Sequence, residues 1–275
     1  MSLTAATRMC AVIGWPVAHS FSPAMHNAAY AHLALDYAYA ALPVPKGRVP
    51  VAIAGAKALG FAGLNVTVPH KEEALACCQP DDVAQAVGAV NTITFEGGVV
   101  TGTNTDVYGL EQTLSLFSPA KLERAVIFGA GGAARAAAYV LAARGMTFAL
   151  CARSARRIEV GGRHHEVLAL DKLGSTGLWA LLCVADLIVD ATPLGLRDDP
   201  TPWPIAALRS DTVVVDLVAR KQTPLARAAK ARGLRVHVGD VMLLHQGAAA
   251  FARFTGVAAP VEIMRTALHR AMEAA

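Results

Sequence analysis

Residues 125–141, AVIFGAGGAARAAAYVL, decide the fold. An apolar β-type run ends at Gly129, and an Ala-rich helical run follows Gly132. Between them Gly129, Gly131 and Ala134 fit G-x-G-x-x-A, the alanine-ended dinucleotide fingerprint. Gly129 permits the tight turn, Gly131 lets backbone approach a pyrophosphate, and Ala134 lets the helix pack close to the sheet. The free N–H groups and positive dipole end of that helix favour phosphate.

Downstream, TFALCA, ADLIVDA, DTVVVDL and LRVHV read as nearly continuous apolar strands, as a buried parallel sheet requires. The strand after the fingerprint ends in CARSARR, with Arg153, Ser154, Arg156 and Arg157 and no acid before Glu159. An acid there would bind a ribose 2′-OH, whereas arginines suit a 2′-phosphate, so NADP is favoured and NAD possible. The bland alternative is a solvated basic turn.

Upstream, MCAVIG, DYAYAAL, GLNVTV and NTITF read as strands. PAMHNAAYAHLAL, VPVAIAGAKALG and EEALACC read as the helices between them. The spacing implies βαβ units and a mostly parallel sheet. The tail from Val241 is helical twice, with Gly256 and Pro260 as punctuation.

Composition narrows the class. The 275 residues are 54% hydrophobic and 17% charged, with a net charge of +4. Such a chain buries a large core and is not disordered. No block of like charge suggests nucleic acid or a membrane patch. Five cysteines, with no CxxC, argue against a disulfide framework and structural zinc and for a reduced, cytoplasmic setting. The start carries no signal-peptide pattern. GLWALLCVADLIVDA, interrupted by Asp186 and Asp190, is too short and too charged to span a bilayer.

The first half concentrates polar residues where strands end. In GLNVTVPHKEEAL, Asn65, Thr67 and Lys71 crowd around Pro69. Lys71 by itself reads as a solvated first-turn lysine, although the helix dipole disfavours a cation there. Ser20 and Ser22 precede or open a helix before Pro23. Ser22 alone reads as an N-cap, and the pair together as a carboxylate site. His19 and His26 read as structural residues. Asn91 reads as a turn residue and Asp106 as a helix cap; Gln246 reads as a solvent-facing residue in an apolar helix.

Taken together and in order, GWPVAHSFSPAMHN, GLNVTVPHK, GAVNT, GTNTD, GAGGAARA, ATPLG, DLV and GDVMLLHQGAAAFARFTG resemble the shikimate dehydrogenase family over nearly the whole chain. The resemblance implies a two-domain α/β fold. Residues 1–106 would form a substrate-binding domain, 107–239 a Rossmann-type NAD(P)-binding domain, and 240–275 helices returning to the substrate domain. It implies that Ser20 and Ser22 hold a substrate carboxylate, that Asn65, Thr67, Asn91 and Gln246 bind ring hydroxyls, and that Lys71 and Asp106 form the catalytic pair. It implies cofactor contacts from Gly129, Ala130, Gly131, Gly132, Ala133, Arg153, Ser154, Arg157, Thr192, Leu217 and Gly239, with no metal.

The implied reaction interconverts shikimate and 3-dehydroshikimate by hydride transfer, in a monomer or homodimer with a small carboxylate as its only partner. Ala152, Ala219, Lys221, Asp190 and Pro193 stand where the family commonly has Asn, Tyr, Pro, Asn and Ser. Ala219 and the altered nucleotide turn keep a paralogue acting on quinate or aminoshikimate in view. A non-catalytic NAD(P)-binding sensor would have lost Lys71 or Asp106, and both are present. The paired serines and GTNTD discriminate against a folate-type dehydrogenase.

Overall fold

Strand-forming apolar runs occur in both halves of the chain and build two different sheets. The structure is a computed structural model that describes residues 3–117, 122–196 and 200–275. The chain divides into two units, Met1–Gly109 with Leu243–Ala275, and Leu110–Met242.

The first unit contains β1 (Arg8–Gly14), α1 (Ser22–His32), β2 (Tyr37–Pro43), α2 (Val49–Ala58) and β3 (Gly63–Val66). It continues with α3 (Lys71–Leu75), β4 (Gln79–Pro80), α4 (Asp82–Val87), β5 (Thr92–Glu96), β6 (Val99–Thr103) and the start of α5 (Asp106–Ser115). The six strands lie in the order β2-β1-β3-β5-β6-β4. Strand β1 is parallel to β2 and β3, whereas β5 is antiparallel to both β3 and β6. The sheet is therefore mostly parallel, as the βαβ spacing implies, with β5 alone running against the other five strands. The reason is local: Gly97 and Gly98, both at positive φ, turn β5 back on β6.

The second unit contains β7 (Arg124–Phe128), α6 (Gly132–Ala143), β8 (Thr147–Ala152), β9 (Arg156–Val160), β10 (Arg163–Ala169) and α7 (Leu170–Leu182). It ends with β11 (Leu187–Asp190), β12 (Val213–Asp216), α8 (Pro224–Ala231) and β13 (Arg235–Val238). The sheet order is β13-β12-β11-β7-β8-β10-β9. With β7 counted as first, this is the Rossmann order, and β9 adds an antiparallel edge. That hairpin corrects the sequence reading of CARSARR: Arg156 and Arg157 belong to β9 rather than to a turn. Valines and isoleucines of β7, β11 and β12 are fully buried, as strands covered on both faces must be.

The chain returns to the first unit through α9 (Asp240–Thr255) and continues as α10 (Val261–Ala274). Leu244, Phe251 and Phe254 of α9 and Met264 and Leu268 of α10 pack with Met25 and Tyr30 of α1 and with Tyr37 and Tyr39 of β2. The other face of that sheet, with Ile13, Leu64 and Val66, packs on Val49, Ile53 and Ala56 of α2. Burial on both faces fixes strand register, because a slip of one residue would exchange the two sets.

Candidate active site

Strand β3 ends at Val66, and the segment that follows is tied down at each step. Thr67 N–H donates to the Ile13 carbonyl at 2.9 Å, and Trp15 N–H donates to Val68 at 3.0 Å. Pro69 follows a cis peptide bond. His70 is buried, its Nε2 2.7 Å from the Val44 carbonyl. Lys71 then opens α3, and its own carbonyl accepts Val90 N–H at 2.8 Å. A lysine so anchored cannot sweep through solvent. Its Nζ lies 2.5 Å from Asp106 Oδ2, with the side chains 12% and 4% exposed. The solvated reading of Lys71 is thereby overturned.

Asp106 is the first residue of α5, where the helix dipole favours a carboxylate. It does not cap that helix; Asn104 Oδ1 accepts the Asp106 N–H at 3.1 Å. Asp106 Oδ1 accepts from Asn91 Nδ2 at 2.9 Å. Asn91 is no exposed turn residue. Its Oδ1 accepts Thr105 N–H at 2.7 Å and the Thr92 hydroxyl at 3.0 Å. Its Nδ2 also reaches Thr105 Oγ1 at 3.0 Å and Gln246 Oε1 at 3.4 Å. Gln246 is likewise buried, with Nε2 on the Leu243 carbonyl at 2.9 Å, so solvent exposure does not explain it. A buried ion pair persists only when its remaining lone pairs and protons find partners, and Asn91 supplies one for Asp106.

The serines sit at the start of α1. Phe21 is the N-cap residue and Ser22 the first helical one, so Ser22 does not act as the cap. The half-buried Ser20, one residue before the N-cap, accepts Ser22 N–H through its hydroxyl at 3.3 Å. Asn65 is buried at the end of β3, with Oδ1 accepting the Tyr39 hydroxyl at 2.6 Å. Its Nδ2 donates to Thr92 Oγ1 at 3.0 Å and to the Asn91 carbonyl at 3.2 Å. Thr67 is half-buried at the same strand end. Asn65, Lys71, Asn91, Asp106 and Gln246 thus share one hydrogen-bonded network; the connecting residues Tyr39, Thr92 and Thr105 were not read from the sequence as site residues. Thr92 and Thr105 flank Asn91 and Asp106 within GAVNT and GTNTD, and that adjacency was the available signal.

The second unit carries the phosphate cradle. Gly129 holds φ +110, and a Cβ there would stand 3.1 Å from the Ala191 carbonyl oxygen. Gly131 is the N-cap of α6 with no side-chain cap, and the first turn contains no acid. Those N–H groups fit a diphosphate, with Gly132 and Ala133 continuing the same turn. Arg156 donates to the Ala130 carbonyl. Arg153 and Ser154 are exposed just beyond β8. Arg157 faces Glu166 across the hairpin at 3.6 Å. Thr192 donates its N–H and hydroxyl to Asp190 Oδ1 at 2.9 and 2.6 Å. Gly239, beside Leu217, admits no Cβ, which would fall 2.2 Å from the Leu217 carbonyl oxygen. The glycines, the uncapped helix start and the nearby arginines suit a dinucleotide bearing an extra phosphate.

Residues 12–93 match the shikimate dehydrogenase substrate binding domain, and residues 241–269 match the shikimate 5′-dehydrogenase C-terminal domain. The chain is 42% identical to the shikimate dehydrogenase (NADP(+)) of Moorella thermoacetica, over 100% of this chain and 97% of that one. It is 38% identical to that of Methanothrix thermoacetophila, over 96% and 98%. Among solved structures, the shikimate dehydrogenase of Aquifex aeolicus superposes with a TM-score of 0.84 at 33% identity, covering 97% and 99% of the two chains. The shikimate 5-dehydrogenase of Thermus thermophilus, in complex with NADP(H) and shikimate, superposes with a TM-score of 0.81 at 36% identity, over 96% and 99%. The chain belongs to the shikimate dehydrogenase family.

Proposed function

We propose that this protein is an NADP-dependent oxidoreductase that interconverts shikimate and 3-dehydroshikimate, with Lys71 as general acid/base and Asp106 as its partner. The observation that carries the reading is the buried 2.5 Å contact between Lys71 Nζ and Asp106 Oδ2, inside a family whose curated members are named for this reaction.

A bound nicotinamide would exchange a hydride with the ring carbon that bears the reacting alcohol. Every proton in the reaction falls to the protein. In the reducing direction the Lys71 ammonium donates a proton to the carbonyl oxygen; in the oxidising direction Lys71 takes the alcohol proton. Asp106 holds Lys71 in place and accepts a hydrogen bond, from the lysine or from the alcohol. Asn91 keeps the Asp106 carboxylate turned toward Lys71 by engaging its other oxygen. Ser20 and Ser22 receive the substrate carboxylate beside the start of α1, and Asn65, Thr67, Asn91 and Gln246 meet the ring hydroxyls. In the second unit Gly129, Ala130, Gly131, Gly132 and Ala133 would cradle the diphosphate, with Arg153, Ser154 and Arg157 at the 2′-phosphate and Thr192, Leu217 and Gly239 further along the cofactor.

Steady-state kinetics over shikimate and quinate, with NADP and NAD, test the reading. The highest kcat/KM is expected for shikimate with NADP. A preference for quinate would reassign the substrate to the paralogue, and absence of turnover with every acid would revive the sensor.

A further inference from the structure

The motif GWPVAHSFSPAMHN continues past its serines to His26 and Asn27, to which the proposed chemistry gives no role. Both residues hold Tyr39 of β2. Asn27 clamps the Tyr39 backbone from both sides: Asn27 Oδ1 accepts its N–H at 2.8 Å, and Asn27 Nδ2 donates to its carbonyl at 2.9 Å. His26 stacks on the Tyr39 ring, centroids 4.2 Å apart and planes 15° from parallel. The His26 ring is wholly buried and neither nitrogen has a hydrogen-bond partner. Burial pushes its pKa down to about 3, so it stacks as a neutral ring.

What this clamp delivers is one hydroxyl. Tyr39 OH donates to Asn65 Oδ1 at 2.6 Å. Burial holds the phenol well above its usual pKa, so it remains a donor. Both hydrogens of Asn65 Nδ2 are already committed, to Asn91 and Thr92. Asn65 therefore offers a ligand only the second lone pair of Oδ1. It can accept from a ring hydroxyl and cannot donate to one.

We infer that Tyr39, pinned by His26 and Asn27, is a positioning residue for the substrate site that fixes Asn65 as an acceptor. The inference rests on the function proposed above. It predicts that loss of the Tyr39 hydroxyl weakens substrate capture without slowing the chemical step, since Lys71 and Asp106 are untouched.

The test is Tyr39→Phe in the full chain, with Tyr37→Phe as the control. The Tyr37 hydroxyl bonds Arg8 and the Phe254 carbonyl, outside the network. In Tyr39→Phe the KM for shikimate should rise about tenfold, with kcat and the KM for NADP within about twofold. Tyr37→Phe should keep wild-type kinetics. Because Tyr39 acts through Asn65, the Asn65→Ala, Tyr39→Phe double variant should raise KM less than the product of the single effects. Asn27→Ala keeps the hydroxyl but frees the strand, and should raise the same KM to a lesser extent; it decides the matter if Tyr39→Phe does not fold. A wild-type KM in the folded variants, or a parallel rise in the KM for shikimate and NADP, overturns the inference. Absence of shikimate turnover by the wild-type protein would instead overturn the proposed function.

Discussion

Lys71 illustrates how far a single residue can be read. Its sequence context, beside Glu72 and Glu73 in a first helical turn, describes an ordinary surface lysine. Nothing local announces that a carboxylate 35 positions later lies 2.5 Å away. The contact depends on β5 and β6 carrying Asp106 back beside α3, which is a property of the sheet. Substituting Lys71 by Ala should lower kcat by about 10²–10⁴-fold, the range for a general acid/base. The Kd for NADPH, measured by fluorescence titration, should be unchanged, because the cradle residues lie in the other unit. The variant also leaves a buried carboxylate without its cation, at a cost of about 3–5 kcal/mol, so turnover must be assayed below its melting temperature. Wild-type turnover in Lys71→Ala would remove it from the mechanism.

At the scale of elements, strands and helices with unbroken apolar character were legible, and hairpins were not. Gly97-Gly98 and Gly161-Gly162 each join two strands at positive φ. A Gly-Gly pair between alternating residues is a hairpin signal, but β9 and β10 carry so many charges that their alternation is faint. The polar ends of β11 and β12 were also opaque. Asp190 and Asp216 are register partners on parallel strands, and both are buried. Trp203 Nε1 donates to Asp190 at 2.6 Å, and the Thr223 hydroxyl donates to Asp216 at 2.5 Å. Burial, then the charge of Asp190, pushes Asp216 up to about 6 from 3.8, against the opposing bond from Thr223. Between those values the folded state binds more protons than the unfolded one. The Asp216 carboxyl therefore favours folding most at low pH, and that contribution is lost as pH rises through about 6. Asp216→Asn removes the titration. The difference in Tm, variant minus wild type, should be several degrees more positive at about pH 8 than at about pH 4. A difference that does not change with pH would mean that Asp216 titrates normally.

The whole molecule divides its labour between two cores. The first unit is completed by residues from the chain's end, with Phe251, Phe254, Met264 and Leu268 buried among residues of α1 and β2. The second unit has its own core around Phe128, Ile188, Val214 and Leu225. The candidate groups follow the same division: the acid–base pair and hydroxyl network belong to the first unit, and the phosphate cradle to the second. Length and element spacing made two units legible, but the expectation that helices of residues 240–275 return to the first one rested on family resemblance, since no local pattern says which core an amphipathic helix joins. The division makes ligand protection separable. Binding stabilises the folded state by RT ln(1 + [L]/Kd), which slows exchange up to about 100-fold at about 100 times Kd. In hydrogen exchange, NADP alone should slow amides around Gly129–Ala143, and shikimate alone those of 20–27, 63–71, 91–106 and 243–250. If shikimate alone protected the start of α6 as strongly as it protects Asn91 and Asp106, the carboxylate and hydroxyl residues assigned in the first unit would not be its binding site.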